Sequence, residues 1–70
     1  MRPHGQAVRA WRLARNLSIR QVEQQTGLNR GWLSRLERGQ IRTTADERIQ
    51  RVATVLDITP DLLELKETKP

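Results

Sequence analysis

A glycine followed two residues later by an asparagine, Gly27-Leu28-Asn29, interrupts an otherwise helical pattern near the middle of this 70-residue chain. Glycine is the residue expected where a helix ends in a left-handed cap, and asparagine is among the best residues for opening one. The apolar positions on both sides recur at helical spacing, and no segment alternates as a strand would. The run therefore reads as two short helices joined by a tight turn, and the chain as all-α.

The other boundaries follow from the same kind of punctuation. Ser18 and Gln21 form a capping box, so the helix before the turn starts there and runs only to about residues 25–26. Asn29 caps the next, about residues 30–37, which Arg38-Gly39 ends. Upstream, a helix over about residues 5–15 places Ala7, Val8, Trp11 and Ala14 along one face, turns Arg9 away, and gives way to a turn at Asn16-Leu17. Downstream, Thr44-Ala45-Asp46-Glu47 reads as a second capping box, opening a helix with the stripe Ile49, Val52, Ala53 and Leu56. Thr59-Pro60 then pairs an N-cap with proline at the first helical position, starting a last helix with Leu62, Leu63 and Leu65. The expectation is one compact five-helix domain over residues 1–70, with its core in about 5–65 and a frayed tail at 66–70.

Composition limits what such a domain can do. With no cysteine and one histidine, His4, there is no disulfide, no thiolate nucleophile and no His-pair or Cys-ligated metal site. Nor do nucleophile, base and ligand candidates converge anywhere in the chain, so neither an enzyme, nor a cofactor, nor a small-molecule ligand is expected. The fold must hold by packing alone, in a size class that buries only about 60% of its unfolded surface. No apolar run approaches the roughly 20 residues that span a bilayer, and Met1 to Gln6 lacks the apolar stretch of a signal peptide. A soluble, cytoplasmic protein without a membrane partner is the expectation.

The net charge of +5 is unevenly placed. Residues 1–42 carry nine arginines against Glu23 and Glu37, a balance of +7, whereas residues 43–70 carry four cations and six acids, a balance of −2. Eleven of the thirteen cations are arginine, whose planar fork suits phosphates and guanine edges. This is the footprint of a polyanion-binding face, although an ordinary solvated basic surface would show the same balance.

The helix after the turn sharpens the choice. With Leu33 at 0° and 100° per residue, Ser34, Arg38, Gly31 and Arg35 fall near about 100°, 140°, 160° and 200°, opposite the side that Leu33 and Leu36 bury. Arg30 and Trp32 flank a small, polar, cationic face. Such a face can enter the major groove of duplex DNA, where Arg30 and Arg35 are the leading base readers and Asn29 and Ser34 their helpers. Arg9, Arg20, Arg38 and Arg42 are candidate phosphate contacts, as is Trp32 through its indole N–H, packing at the helix margin being its other reading. Gly31 costs roughly 0.8–1.0 kcal/mol in helix propensity relative to alanine, which suggests a close backbone approach to DNA or to the preceding helix.

The run Leu17-Ser18-Ile19-Arg20-Gln21-Val22, then Thr26-Gly27-Leu28-Asn29, then Leu33-Ser34-Arg35-Leu36-Glu37-Arg38-Gly39, resembles the helix-turn-helix domains of the Cro and phage-repressor (lambda-repressor-like) type. Val8-Arg9, Arg12, Ile49, Val52-Ala53 and Leu56-Asp57-Ile58 also fall in that pattern, so that the likeness covers about residues 5–65. It implies a five-helix, usually dimeric binder of double-stranded DNA that regulates transcription, of phage or bacterial kind, most simply as a repressor. It also implies an inward ion pair between Arg12 and Glu37. Two positions depart from the pattern. Where many members start the second helix with a phosphate-clamping Gln, this chain has Ile19, with Arg20 beside it and Gln21 two positions on as the candidate contact. Glu23 stands where a small residue is usual, and a carboxylate there can face the N-terminus of the next helix or pair with Arg30. Any homodimer is expected to form on DNA or through the C-terminal helix carrying Leu62, Leu63 and Leu65. The same leucine face supports the alternative of an antitoxin-like or other protein-interaction module.

Overall fold

Among the described residues, three of the four α-helices start on a side chain that accepts an N–H the helix cannot satisfy itself. The computed structural model describes residues 1–66. Helix α1 (Gly5–Ala14) begins at His4, whose Nδ1 accepts from the Ala7 amide at 3.1 Å. Helix α2 (Ile19–Thr26) begins at Ser18 with both halves of the capping box made: Ser18 Oγ accepts from the Gln21 amide at 3.0 Å, and Gln21 Oε1 from the Ser18 amide at 2.8 Å. Helix α3 (Arg30–Glu37) begins at Asn29, whose Oδ1 accepts from the Trp32 amide at 3.1 Å. Helix α4 (Asp46–Leu56) and a 3-10 turn, Pro60–Leu63, complete the order.

The turn between α2 and α3 is set by local chemistry. Gly27 takes the left-handed conformation, φ 75°, and its N–H donates to the Glu23 carbonyl at 2.8 Å. Buried Thr26 donates its hydroxyl to the Val22 carbonyl at 2.6 Å and accepts from the Leu28 amide at 3.1 Å, which sends Leu28 into the core. There it joins Val8 of α1, Val22 of α2, Leu33 and Leu36 of α3, Ile49, Val52, Ala53 and Leu56 of α4, and Leu63.

Two expected helix features are not there. Thr44 is not a cap: α4 starts one residue later, after Ala45, without a side-chain cap. The backbone of Thr44 is engaged elsewhere, donating to the Met1 carbonyl at 3.0 Å and accepting from the Met1 amino group at 3.1 Å. That amino group also lies 3.2 Å from the Asp46 carboxylate. The fifth α-helix is replaced by the 3-10 turn, whose N–H groups reach back three residues. Beyond it the chain pairs with the N-terminal segment: the Leu65 amide donates to the Arg2 carbonyl at 2.8 Å and the His4 amide to that of Leu63 at 2.7 Å. Groups that would have extended a helix are thereby consumed. The three leucines accordingly do not share one face, since Leu63 is fully buried while Leu62 and Leu65 are 45% and 42% exposed. Of the expected frayed tail, residues 67–70 lie outside the described residues.

Helix α1 is fastened to the far end of α3. Arg12 Nε and Nη2 donate to the two Glu37 carboxylate oxygens at 2.7 and 3.0 Å, and Nη1 donates to the Leu17 carbonyl at 2.7 Å. The side chains are 12% and 8% exposed, so this fork is largely out of water. Arg15, on the same helix, donates from Nε to the Leu56 carbonyl at 2.9 Å, putting a cation at the C-terminal end of α4. Its guanidinium also lies 5.6 Å from the Trp11 ring centroid. Gly5 lets the start of α1 approach the end of α3: a Cβ there would stand 2.2 Å from the Leu36 carbonyl oxygen.

Removing one partner of a buried pair strands the other, so Glu37→Ala is expected to lower unfolding free energy by about 3–5 kcal/mol in urea titrations. A midpoint equal to wild type would show that the fork contributes nothing. Gly5→Ala must displace backbone and is expected to cost about 1–3 kcal/mol in the same assay, with an unchanged midpoint counting against the close approach.

Candidate nucleic-acid interface

Helix α3 turns Leu33 and Leu36 inward and leaves Arg30, Gly31, Arg35 and Arg38 exposed, with Ser34 half-buried beside them. Its N-terminal end is held by two side chains. Asn29 takes the Trp32 amide, and the Glu23 carboxylate of α2 accepts from the Arg30 amide at 2.6 Å. Of its two possible destinations, Glu23 therefore takes the N-terminus of the helix, where a negative charge meets the positive end of the dipole. The structure does not support a close approach of Gly31 to α2: what a Cβ at Gly31 would meet is the Asn29 Oδ1, at 3.0 Å, with no atom of α2 within 4 Å. A Cβ at this position presses on the Asn29 cap oxygen, which has to yield by a few tenths of an ångström.

The predicted polar residues differ in what they still have to offer. Among the described residues, Arg9, Arg20, Arg30, Arg35 and Arg42 are exposed and make no side-chain hydrogen bond or ion pair. Arg38 spends one Nη2–H on the Ser34 hydroxyl oxygen at 2.7 Å, which leaves the Ser34 proton available. Asn29 and Gln21 use their side-chain oxygens as caps and keep their amide N–H groups. Arg12 and Glu37 are occupied by each other. Trp32 is half-buried against the core, with the Arg48 guanidinium 5.2 Å from its ring centroid.

An open groove brings together Arg2, Arg9, Ser34, Arg38 and Arg42 on one flank of α3. Arg20 and Gln21 lie outside it on α2, although Ile19 reaches its wall. On the other flank Arg35 and Trp32 share a second groove with Arg48 and Arg51 of α4. Sequence reasoning missed these last two. They sit in the part of the chain whose net charge is negative, and their long side chains return them to the cationic side: α4 packs on α2, Arg48 reaches over Trp32, and Arg51 reaches the Thr26 carbonyl. Among the described residues no three His, Cys, Asp or Glu side chains group as a metal site would require, and no helix is long and apolar enough to cross a membrane.

A family model described as a helix-turn-helix domain matches residues 5–65. The restriction-modification controller protein C.AhdI from Aeromonas hydrophila superposes with a TM-score of 0.77 at 37% identity, over 84% of this chain and 88% of its own. The clp gene regulator ClgR from Corynebacterium glutamicum gives 0.75 at 27% identity, over 83% of this chain and 62% of its own. A chain of the complex between SinR protein and SinI protein gives 0.80 at 24% identity, a likeness of fold that covers 86% of this chain but 59% of that one. A search of curated protein sequences returns no match. With its Gly27 turn, its outward cationic α3 and a family match that spans nearly all of it, the chain belongs to the helix-turn-helix domains of the Cro and phage-repressor type.

Proposed function

We propose that this domain binds double-stranded DNA in a sequence-dependent manner, with α3 in the major groove, and acts as a transcriptional regulator of repressor type. The observation that carries this reading is the exposed face of α3. Arg30 and Arg35 stand there without internal partners, separated by the small residues Gly31 and Ser34, on a helix whose opposite side is buried. Arginine can meet the O6 and N7 acceptors of guanine with two hydrogen bonds, and no bulky apolar group on that face keeps the bases away. Arg9, Arg20, Arg38 and Arg42, with the Gln21 amide and the Trp32 indole N–H, are assigned to phosphates. The likeness to the C.AhdI controller and the ClgR regulator supports the regulatory reading.

A homodimer on a two-fold symmetric site is part of the proposal. Among the described residues, Leu62 and Leu65 are apolar groups of the C-terminal part that remain exposed for such a contact, Leu63 being committed to the core.

Selection from a random duplex pool is expected to enrich a palindromic, guanine-containing motif. A pool that yields no motif at all would favour the protein-interaction alternative. On the selected site, Arg35→Ala is expected to cost about 1–3 kcal/mol of discrimination at one base position per half-site. Arg9→Ala should instead weaken all duplexes alike and reduce the slope of log K against log salt by about 0.9, as measured by anisotropy titration.

A further inference from the structure

Arg48 and Arg51 lie on α4 three residues apart, and the fold sets both against the flank of α3 that carries Trp32 and Arg35. The Arg48 guanidinium is held over the Trp32 ring, 5.2 Å from its centroid. Arg51 donates from Nη1 to the Thr26 carbonyl at 3.3 Å and pairs with Glu47. Among the described residues, Glu47 is the one carboxylate lining this groove, and Arg51 neutralises it. Exposed Arg35 and Arg48 thus face an open, positively charged trough floored by an aromatic ring. The trough shares no lining residue with the groove of Arg2, Arg9, Arg38 and Arg42. To one, α3 contributes Trp32 and Arg35; to the other, Ser34 and Glu37, followed by the C-capping Arg38, so the two lie on opposite flanks of α3.

We infer that the Trp32–Arg48 stack and its neighbours form a second phosphodiester-binding wall, through which α4 grips the strand on the side of α3 away from Arg9 and Arg42. The inference rests on the DNA-binding reading above. A helix seated in a major groove about 12 Å wide has a phosphate backbone on each side, so cations on one flank alone leave the other strand without a partner. The ring restrains Arg48 in place by cation–π attraction, so that less side-chain freedom is lost when a phosphate arrives. The Trp32 indole N–H, which makes no hydrogen bond among the described residues, supplies a neutral donor to the same trough. Contacts of this kind fix register and carry no base information. Arg48 is accordingly assigned to affinity and Arg35, from the same trough, to selectivity.

The test titrates the full chain against a labelled duplex from the selection and against a scrambled duplex, over a range of salt. Arg48→Gln is expected to weaken both by the same several-fold factor and to lower the slope of log K against log salt by about 0.9, while its thermal midpoint stays that of wild type. Arg48→Lys should recover the slope but only part of the affinity, because the charge returns without the planar stack. A second measurement leaves the trough unaltered: in a Trp11→Phe chain Trp32 is the only indole, and its emission should change as duplex is added. An Arg48→Gln variant with wild-type affinity and slope, or a loss confined to the selected duplex, overturns the wall. So does a Trp32 emission indifferent to saturating duplex. A wild-type chain that binds no duplex even at low salt overturns the DNA-binding reading itself, whatever Arg48 does.

Discussion

One side chain, Arg12, joins three parts of the chain: α1, the end of α3 and the turn before α2. Its fork closes on Glu37 at the end of α3, and its third nitrogen closes on the Leu17 carbonyl in the turn before α2. In a domain whose core is ten small or medium side chains, hydrophobic burial alone sets the helices near one another without defining their rotation. Directional bonds from a planar group do define it. The exposed face of α3 is outward because Leu33 and Leu36 are in, and it points where it does because its C-terminal end is bolted to α1.

The other end of α3 is held from α2, by the Glu23 carboxylate on the Arg30 amide. The two acids of the first 42 residues therefore do the same thing at opposite ends of one helix, and neither is an ordinary surface charge. Glu37 takes an arginine of α1, and Glu23 a backbone N–H. Held at both ends, α3 carries its exposed arginines on a backbone anchored to both neighbouring helices.

How much of this was legible in the sequence depends on how far apart the partners lie along the chain. The Ser18–Gln21 box, the left-handed Gly27, the Asn29 cap and the Arg38-Gly39 stop are short-range devices, each within a few residues, and a pattern of residue types is enough to read them. The Thr44 box is of the same kind and misled, because Met1, 43 positions away, takes the backbone that the box needs. The last helix misled for a related reason: Pro60 marks where a helical turn begins, but where it stops is decided by pairing with the segment around Arg2 to His4. Arg15 on Leu56 and Arg48 on Trp32 carry no local signature at all. The Arg12–Glu37 contact was within reach only through the resemblance to a family, since spacing places Glu37 near the buried side but does not name its partner.

The capping of α2 and α3 leaves an asymmetry on the surface between them. The side-chain oxygens of Gln21, Glu23, Asn29 and Ser34 each already accept a hydrogen from the protein. What remains pointing outward is mainly hydrogen: guanidinium, carboxamide and hydroxyl protons, with an indole N–H at the margin. A surface of this polarity discriminates by what it can receive. The chemistry of such donors suits edges rich in lone pairs, such as the N7 and O6 of guanine or the oxygens of a phosphate. The helix caps thus reach beyond stability, for they occupy side-chain oxygens and tilt the hydrogen-bonding balance of this face toward donors.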